Sequence, residues 1–154
     1  RVDYLDPQQA ADLVFLLDRY ARDPMGGGVG LSAQVQENLP TCLAALEHAV
    51  SLLCYVDGQP AGLANCFEAF STFKCRKILN IHDIAVLQEY RGLGLSRQML
   101  TEVVVLAKER GCGKLTLEVL EGNEVAKRAY KKFGFAPYAL DPALGQAQFW
   151  EMPV

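Results

Sequence analysis

The chain has 154 residues, 51% hydrophobic and 21% charged, which supplies a packed core and excludes intrinsic disorder. Fifteen Lys plus Arg against 18 Asp plus Glu leave a formal charge of −3, without the basic excess of a nucleic-acid binder. No apolar run reaches the ~18 residues of a membrane span, so one domain over residues 1–154 is expected, with neither nucleic acid nor membrane as partner.

Residues 1–5 read as a short strand, and Asp6-Pro7 as the cap and first position of a helix. From Pro7 to about Arg22 the apolar positions Ala10, Leu13, Val14, Leu17 and Ala21 keep helical spacing. Asp23-Pro24 stops that helix, and Met25–Gly30 follows as a flexible, glycine-rich loop. A second helix is expected between Pro40 and Val50, on the spacing Leu39, Leu43, Leu46, Ala49.

The period then changes to two. Ser51–Val56 reads as a strand, Asp57–Pro60 as a hairpin turn, Ala61–Phe70 as the partner strand and Ile78–Val86 as a third. Gly94–Arg110 reads as a helix with Met99, Val103, Leu106 and Ala107 inward. Lys114–Leu120 is a strand, Asn123–Phe133 a helix with Val125, Ala129 and Phe133 as its core stripe, and Ala136–Leu140 and Gln148–Met152 are two last strands. The order β-α-α-β-β-β-α-β-α-β-β predicts an α/β fold with a mixed, largely antiparallel sheet flanked by helices.

Cys42, Cys54, Cys66, Cys75 and Cys112 are odd in number and form no CxxC pair, so they are expected to be reduced core cysteines of a cytoplasmic protein. His48 and His82 are too few and too distant in sequence to suggest a metal cluster, and no metal is expected. The chain opens on Arg1 without Met or a signal-like segment, so its natural start is expected upstream.

Two stretches carry chemistry. In the first, a strand ending at Val86 leads through Arg91-Gly92-Leu93-Gly94-Leu95-Ser96 into a helix. Such a junction offers unpaired N–H groups and the positive end of a helix dipole to a phosphate. A dinucleotide fingerprint fails because Arg97 stands where its third glycine is needed. Gly111-Cys112-Gly113-Lys114 fails as a P-loop because Leu115 follows the lysine and Lys108 replaces the first glycine. In the second stretch, Asn123 stands at a helix start, and Ala126 and Tyr130 share its face. A tyrosine on a stripe with a polar cap and a small alanine is placed differently from a core tyrosine.

Jointly, these stretches resemble the GNAT superfamily of acyl-CoA-dependent N-acyltransferases. The RxxGx(G/A) loop of that family is matched by Arg91–Ser96, with Ser96 in place of the usual Gly or Ala. Its NxxAxxxYxxxGF pattern is matched by Asn123, Ala126, Tyr130, Gly134 and Phe135. The resemblance implies acetyl-CoA as co-substrate, its pyrophosphate on the backbone of Arg91, Gly92, Leu93, Gly94, Leu95 and Ser96, and its pantetheine arm paired with Ile84, Ala85 and Val86. It also implies that Asn123 and Ala126 border the cofactor, that Tyr130 protonates the leaving thiolate, and that a backbone N–H near Val86 holds the oxyanion. Homodimers are common among such proteins.

The acceptor implied is a small-molecule or peptide amine, attacking directly. An alkylamine of pKa ~10.4 needs about 4.6 kcal/mol to be neutral at pH 7, so a base is useful. Glu118 fits the Leu-Glu-Val…Asn…Tyr spacing that resembles ribosomal-protein N-terminal acetyltransferases. His82 lies on the strand before the loop, where an acidic residue is usual in similar diamine acetyltransferases, and histidine is a side chain suited to proton transfer near neutrality. An exposed strand carboxylate and a structural histidine are the plain alternatives. Asp83 is expected on the opposite face by strand alternation.

Overall fold

The computed structural model describes all residues except 142, 144 and 146. By its internal contacts the chain divides into Arg1–Leu117 and Glu118–Val154.

The N-terminal unit opens without the expected first strand. Val2 donates one backbone bond to Ser51, but Asp3 accepts from the Leu5 N–H and turns the chain into α1 (Pro7–Ala21). Asp6 caps α1 through the N–H groups of Gln8 and Gln9. The second helix, α2 (Ala33–Ala44), begins seven residues before the expected Pro40. Ser32 caps it at Val35, and Pro40 sits inside it rather than at its start. Leu43 is buried on its inner face, whereas Leu46 is exposed and Ala49 already belongs to the first strand.

The strands are β1 (Ala49–Val56), β2 (Gln59–Ser71), β3 (Arg76–Val86) and β4 (Lys114–Leu117), in sheet order β1-β2-β3-β4. The first three are antiparallel and β4 runs parallel to β3, the mixed sheet expected. Asp57 and Gly58 both have positive φ (49° and 76°), so the β1–β2 connection is a two-residue turn of the kind that matches strand twist. Pro60 is accommodated in β2 where the register shifts beside Tyr55, a place where a missing N–H costs little.

Helix α3 (Leu95–Glu109) buries Met99, Val103, Leu106 and Ala107 as expected, with Leu95 and Leu100 besides. The sheet is covered on both faces. One face carries Ala49 and Leu63 against Leu13 and Leu16 of α1 and Leu43 of α2. On the other, a Cβ added at Gly62 would lie 3.2 Å from Met99 Cε of α3. Among the described residues, no helix is long and apolar enough to cross a membrane.

Of the cysteines only Cys66 is buried; Cys54 and Cys112 are half-buried, Cys42 and Cys75 exposed, and all five are free thiols. Glu68 pairs with Lys77 and Arg110.

In the C-terminal unit, α4 (Glu124–Phe133) is capped by Asn123 and ended by Gly134. Its expected core stripe is only partly so: Val125 is 70% exposed, while Ala129 and Phe133 are half-buried. Residues 118–120 are outside β4, and neither 136–140 nor 148–152 forms a strand. Tyr138, Phe149 and Trp150 have strand propensity but stand 60%, 79% and 83% exposed, and propensity alone does not make a strand.

Candidate functional site

The register of β2 and β3 sets the site. Asn65 pairs with Asp83 but Cys66 pairs with Ile81, so His82 is the extra residue of a β-bulge. Before it, Leu79 and Ile81 are buried opposite Glu68 and Cys66; after it, Asp83 and Ala85 stand opposite Asn65 and Leu63. The bulge reverses which residues of β3 face α1. His82 is exposed and meets Phe67 edge-on, ring centroids 5.6 Å apart, while Asp83 accepts a hydrogen bond from the Asn65 amide at 2.9 Å. Asn65 and Phe67 are two residues apart on a regular stretch of β2, so His82 and Asp83 share one face. This corrects the alternation argument that set them on opposite faces. His48, remote in sequence, flanks the same Phe67 at 6.1 Å.

Behind Asp83 runs a buried polar chain that sequence reasoning missed. Tyr4 OH lies 2.9 Å from Ser51 Oγ, and Ser51 donates to Asn65 Oδ1 at 2.6 Å. Ser51 is 1% and Asn65 4% exposed. Because Asn65 gives its amide N–H to a carboxylate, its oxygen faces Ser51, and Tyr4 must then donate to Ser51. Burial pushes the Tyr4 phenol above its ordinary pKa. Four residues from the N-terminal segment and three strands are thereby joined, and no spacing in the chain announces them.

Beyond the bulge, β3 loses its other neighbour. Strand β4 pairs with Ile78 to Ile81 only, so from His82 to Val86 that edge of β3 has no strand partner among the described residues. Ile84, Ala85 and Val86 lie on this open stretch. After Val86 the chain makes a helical turn at Gln88–Tyr90 and enters the glycine loop. Gly92 and Gly94 have φ of 86° and 78°, a conformation that glycine adopts without strain. A Cβ at either would meet no protein atom within 4 Å, so the loop's outer surface is bare backbone. Gly94 caps α3 without any side-chain bond, whereas Asp6, Ser32 and Asn123 cap the other α-helices with theirs. The first N–H groups of α3, around Leu95 and Ser96, thus present the positive helix end unscreened. Leu93 is exposed and Leu95 buried, which anchors the loop to the core.

Arg91 is not a free cation. Its guanidinium donates to the Val86 carbonyl at 3.1 Å and to Asp23 at 3.0 Å. Asp23 also accepts from the Met25 N–H, and these bonds hold its carboxyl below the usual range. The Met25–Gly30 loop is tethered near its ends, since a Cβ at Gly26 would collide with the Tyr20 carbonyl and Leu31 donates to Asp18, while Gly27, Gly28 and Val29 between them are exposed. A cavity of about 270 Å³ opens here, lined by Tyr20, Asp23, Leu63, Ala85, Val86 and Arg91 among others. Burial, then the charges of Asp83 and Asp23, push the Tyr20 phenol upward.

The remaining candidates belong to the C-terminal unit. Glu118 is exposed, one residue past the end of β4 rather than on it. Asn123 Oδ1 accepts from the Ala126 N–H at 3.1 Å, so its oxygen serves the cap. Tyr130 is half-buried with its ring against Phe135, centroids 5.9 Å apart. Lys127 is half-buried and paired with Glu124. No group of His, Cys, Asp and Glu able to hold a metal occurs among the described residues.

Comparison with known proteins identifies the family. The chain is 41% identical over 90 residues to a streptothricin acetyltransferase of Streptomyces lavendulae, a match covering 58% of this chain and 46% of that one. It is 39% identical over 68 residues to a thialysine N-epsilon-acetyltransferase of Bos taurus, covering 44% and 39%. Each match thus spans less than half of the relative's length. Among solved structures, a probable acetyltransferase superposes with a TM-score of 0.78 at 19% identity, over 96% of this chain and 93% of that one. An aminoglycoside N-acetyltransferase in complex with CoA superposes with 0.74 at 13% identity, over 97% and 92%, which is a likeness of fold. The family model for the acetyltransferase (GNAT) family matches residues 16–135, from α1 through α4, and the chain belongs to that family.

Proposed function

We propose that the chain is an acetyl-CoA-dependent N-acetyltransferase that acylates a primary amine by direct attack in a ternary complex. The observation that carries this reading is the junction from β3 into α3: bare backbone at Gly92 and Gly94, then an uncapped helix start. These features fit a pyrophosphate, and the partnerless edge at Ile84, Ala85 and Val86 fits a pantetheine arm with its two amides. Acetyl-CoA supplies the thioester.

The chain's own groups would do the rest. A backbone N–H near Val86 steadies the developing negative charge. Tyr130 donates a proton to the departing thiolate, with Asn123 and Ala126 on the same helical face. Glu118 or His82 takes the amine's proton, either directly or through water. The five free thiols accord with a cytoplasmic location, and homodimerisation is part of the proposal.

The test measures CoA thiol release with acetyl-CoA and a panel of alkylamines, diamines, aminoglycosides and peptide N-termini. Amine-dependent release, with a loss of at least tenfold on Tyr130→Phe, is expected. Thermal stabilisation by acetyl-CoA with no amine-dependent release would make the chain a binding module instead. Equal turnover by Tyr130→Phe would remove that residue from its role.

A further inference from the structure

We propose that a cavity between α1 and the β1–β2 turn binds a quaternary ammonium group, at a place separate from the acetyl-transfer site. The inference goes beyond the acetyl-transfer reading and does not depend on it, since a quaternary nitrogen has no lone pair with which to attack a thioester.

The cavity measures about 610 Å³ and shares no lining residue with the one beside Val86. One wall is a stripe of α1: Gln8, Asp12 and Phe15 stand at i, i+4 and i+7, beside the core stripe of Leu13 and Leu16. The other wall is Tyr55 of β1 and Pro60 of β2, on either side of the Asp57-Gly58 turn.

Three observations give the ligand class. First, the site is short of positive charge. Asp12 is 8% exposed, and its partners among the described residues are the neutral Gln8 amide at 3.0 Å and the Tyr55 hydroxyl at 2.8 Å. No basic residue lines this cavity, whereas Arg19, Arg22 and Arg91 line the other. Burial first, then Asp12 and Asp6, push the Tyr55 phenol up to about 12, so it stays protonated and donates. An ionised carboxylate buried without a cation is costly, and an apolar side chain would fill the same space without that cost.

Second, the site is less short of donors. Gln8 bonds to Oδ1 of Asp12 and Tyr55 to Oδ2, so each oxygen already accepts one bond. A ligand that brings charge without N–H groups meets what is missing. Third, Phe15 and Tyr55 line the cavity yet remain half-exposed. Aromatic faces attract cations, and methylated ammonium groups are held in this way. The Tyr55 ring is enriched in electrons by its bond to the Asp12 carboxylate, which strengthens that attraction.

The experiment titrates the full chain with choline, its uncharged isostere 3,3-dimethylbutan-1-ol, and the primary amine ethanolamine. Ionic strength is held constant, and the Gln8 side-chain amide is followed by NMR. Choline should give saturable shifts at least tenfold below the concentration the alcohol needs, and at least threefold below ethanolamine. Asp12→Asn should abolish the advantage of choline over the alcohol. Phe15→Leu, which keeps apolar bulk and removes the ring, should weaken choline at least threefold and leave the alcohol within twofold. Should Asp12→Asn fail to fold, Phe15→Leu decides alone, because its half-exposed side chain takes no part in the Asp12 bonds. Absence of saturation by choline, equal binding of the alcohol, or a choline affinity unmoved by Phe15→Leu overturns the site. Ethanolamine binding as tightly as choline overturns the quaternary assignment. Stabilisation by acetyl-CoA in thermal melts should be unchanged in Phe15→Leu, and its loss would overturn the separation of the two sites.

Discussion

Asn65→Leu tests the buried polar chain with little change of side-chain volume. The substitution removes the acceptor of the Ser51 hydroxyl, which is 1% exposed, and the donor to Asp83. A buried hydroxyl without its acceptor costs about 1–3 kcal/mol, the low end applying if Ser51 turns its proton toward Tyr4. The lost bond to the Asp83 carboxylate costs about 1–2 kcal/mol more, because the half-buried oxygen recovers water. The total is about 3 kcal/mol, a large share of the ~5–15 kcal/mol that holds most domains folded. Ser51→Ala in the Asn65→Leu background should then cost less than Ser51→Ala alone, a coupling of about 1–2 kcal/mol. Urea unfolding followed by far-UV circular dichroism measures both. The single tryptophan, Trp150, is in the C-terminal unit and would report on the wrong part of the chain. A loss below ~0.5 kcal/mol, or strict additivity of the two substitutions, would refute the chain as an energetic unit.

Two further outcomes follow from the geometry. Gly62→Ala would set a methyl 2.8 Å from the Ala85 carbonyl oxygen and 3.2 Å from Met99 Cε. A backbone atom cannot rotate away, so β3 must shift where Ala85 and Val86 lie; a loss of about 1–3 kcal/mol and weaker stabilisation by acetyl-CoA are expected in thermal melts. Burial, reinforced by the Asp12 carboxylate, pushes the Tyr55 phenol up to about 12. Its folded pKa is raised, so its stabilisation is complete below the unfolded value of ~10 and lost as pH rises to about 12. Tyr55 is 42% exposed, and screening reduces the effect from the nominal ~2.7 to about 1 kcal/mol. Alkaline unfolding curves of the parent and Tyr55→Phe should converge above pH 12 if this holds.

Local signals were legible. Asp57-Gly58 announces its turn, the apolar spacing of Met99, Val103 and Leu106 announces α3, and Gly92 and Gly94 announce bare backbone because each requirement is met within a few residues. What depends on pairing was not. The bulge at His82 is a property of two strands in register, and alternation read along one strand alone misplaces Asp83. The Tyr4–Ser51–Asn65–Asp83 chain joins positions separated by up to 47 residues at a single bond. The α2 boundary failed for another reason: proline normally begins helices, and here Pro40 is carried inside one already begun at Ser32. Glu118, Asn123 and Tyr130 were legible as a spacing, and their expected neighbours at 136–140 and 148–152 were not legible as irregular chain.

The partnerless edge of β3 also bears on self-association. An unpaired strand edge normally invites a second chain, and polypeptides guard against this with charge, distortion or brevity. This one uses all three. It begins at a bulge that twists the strand, holds Asp83, and ends after five residues at a turn where Arg91 occupies the Val86 carbonyl. Five residues present too few rungs to nucleate a fibril-like ladder. On the proposed reading they suffice for a linear molecule with one or two amides, so the same brevity that guards against edge-to-edge pairing of strands favours small guests.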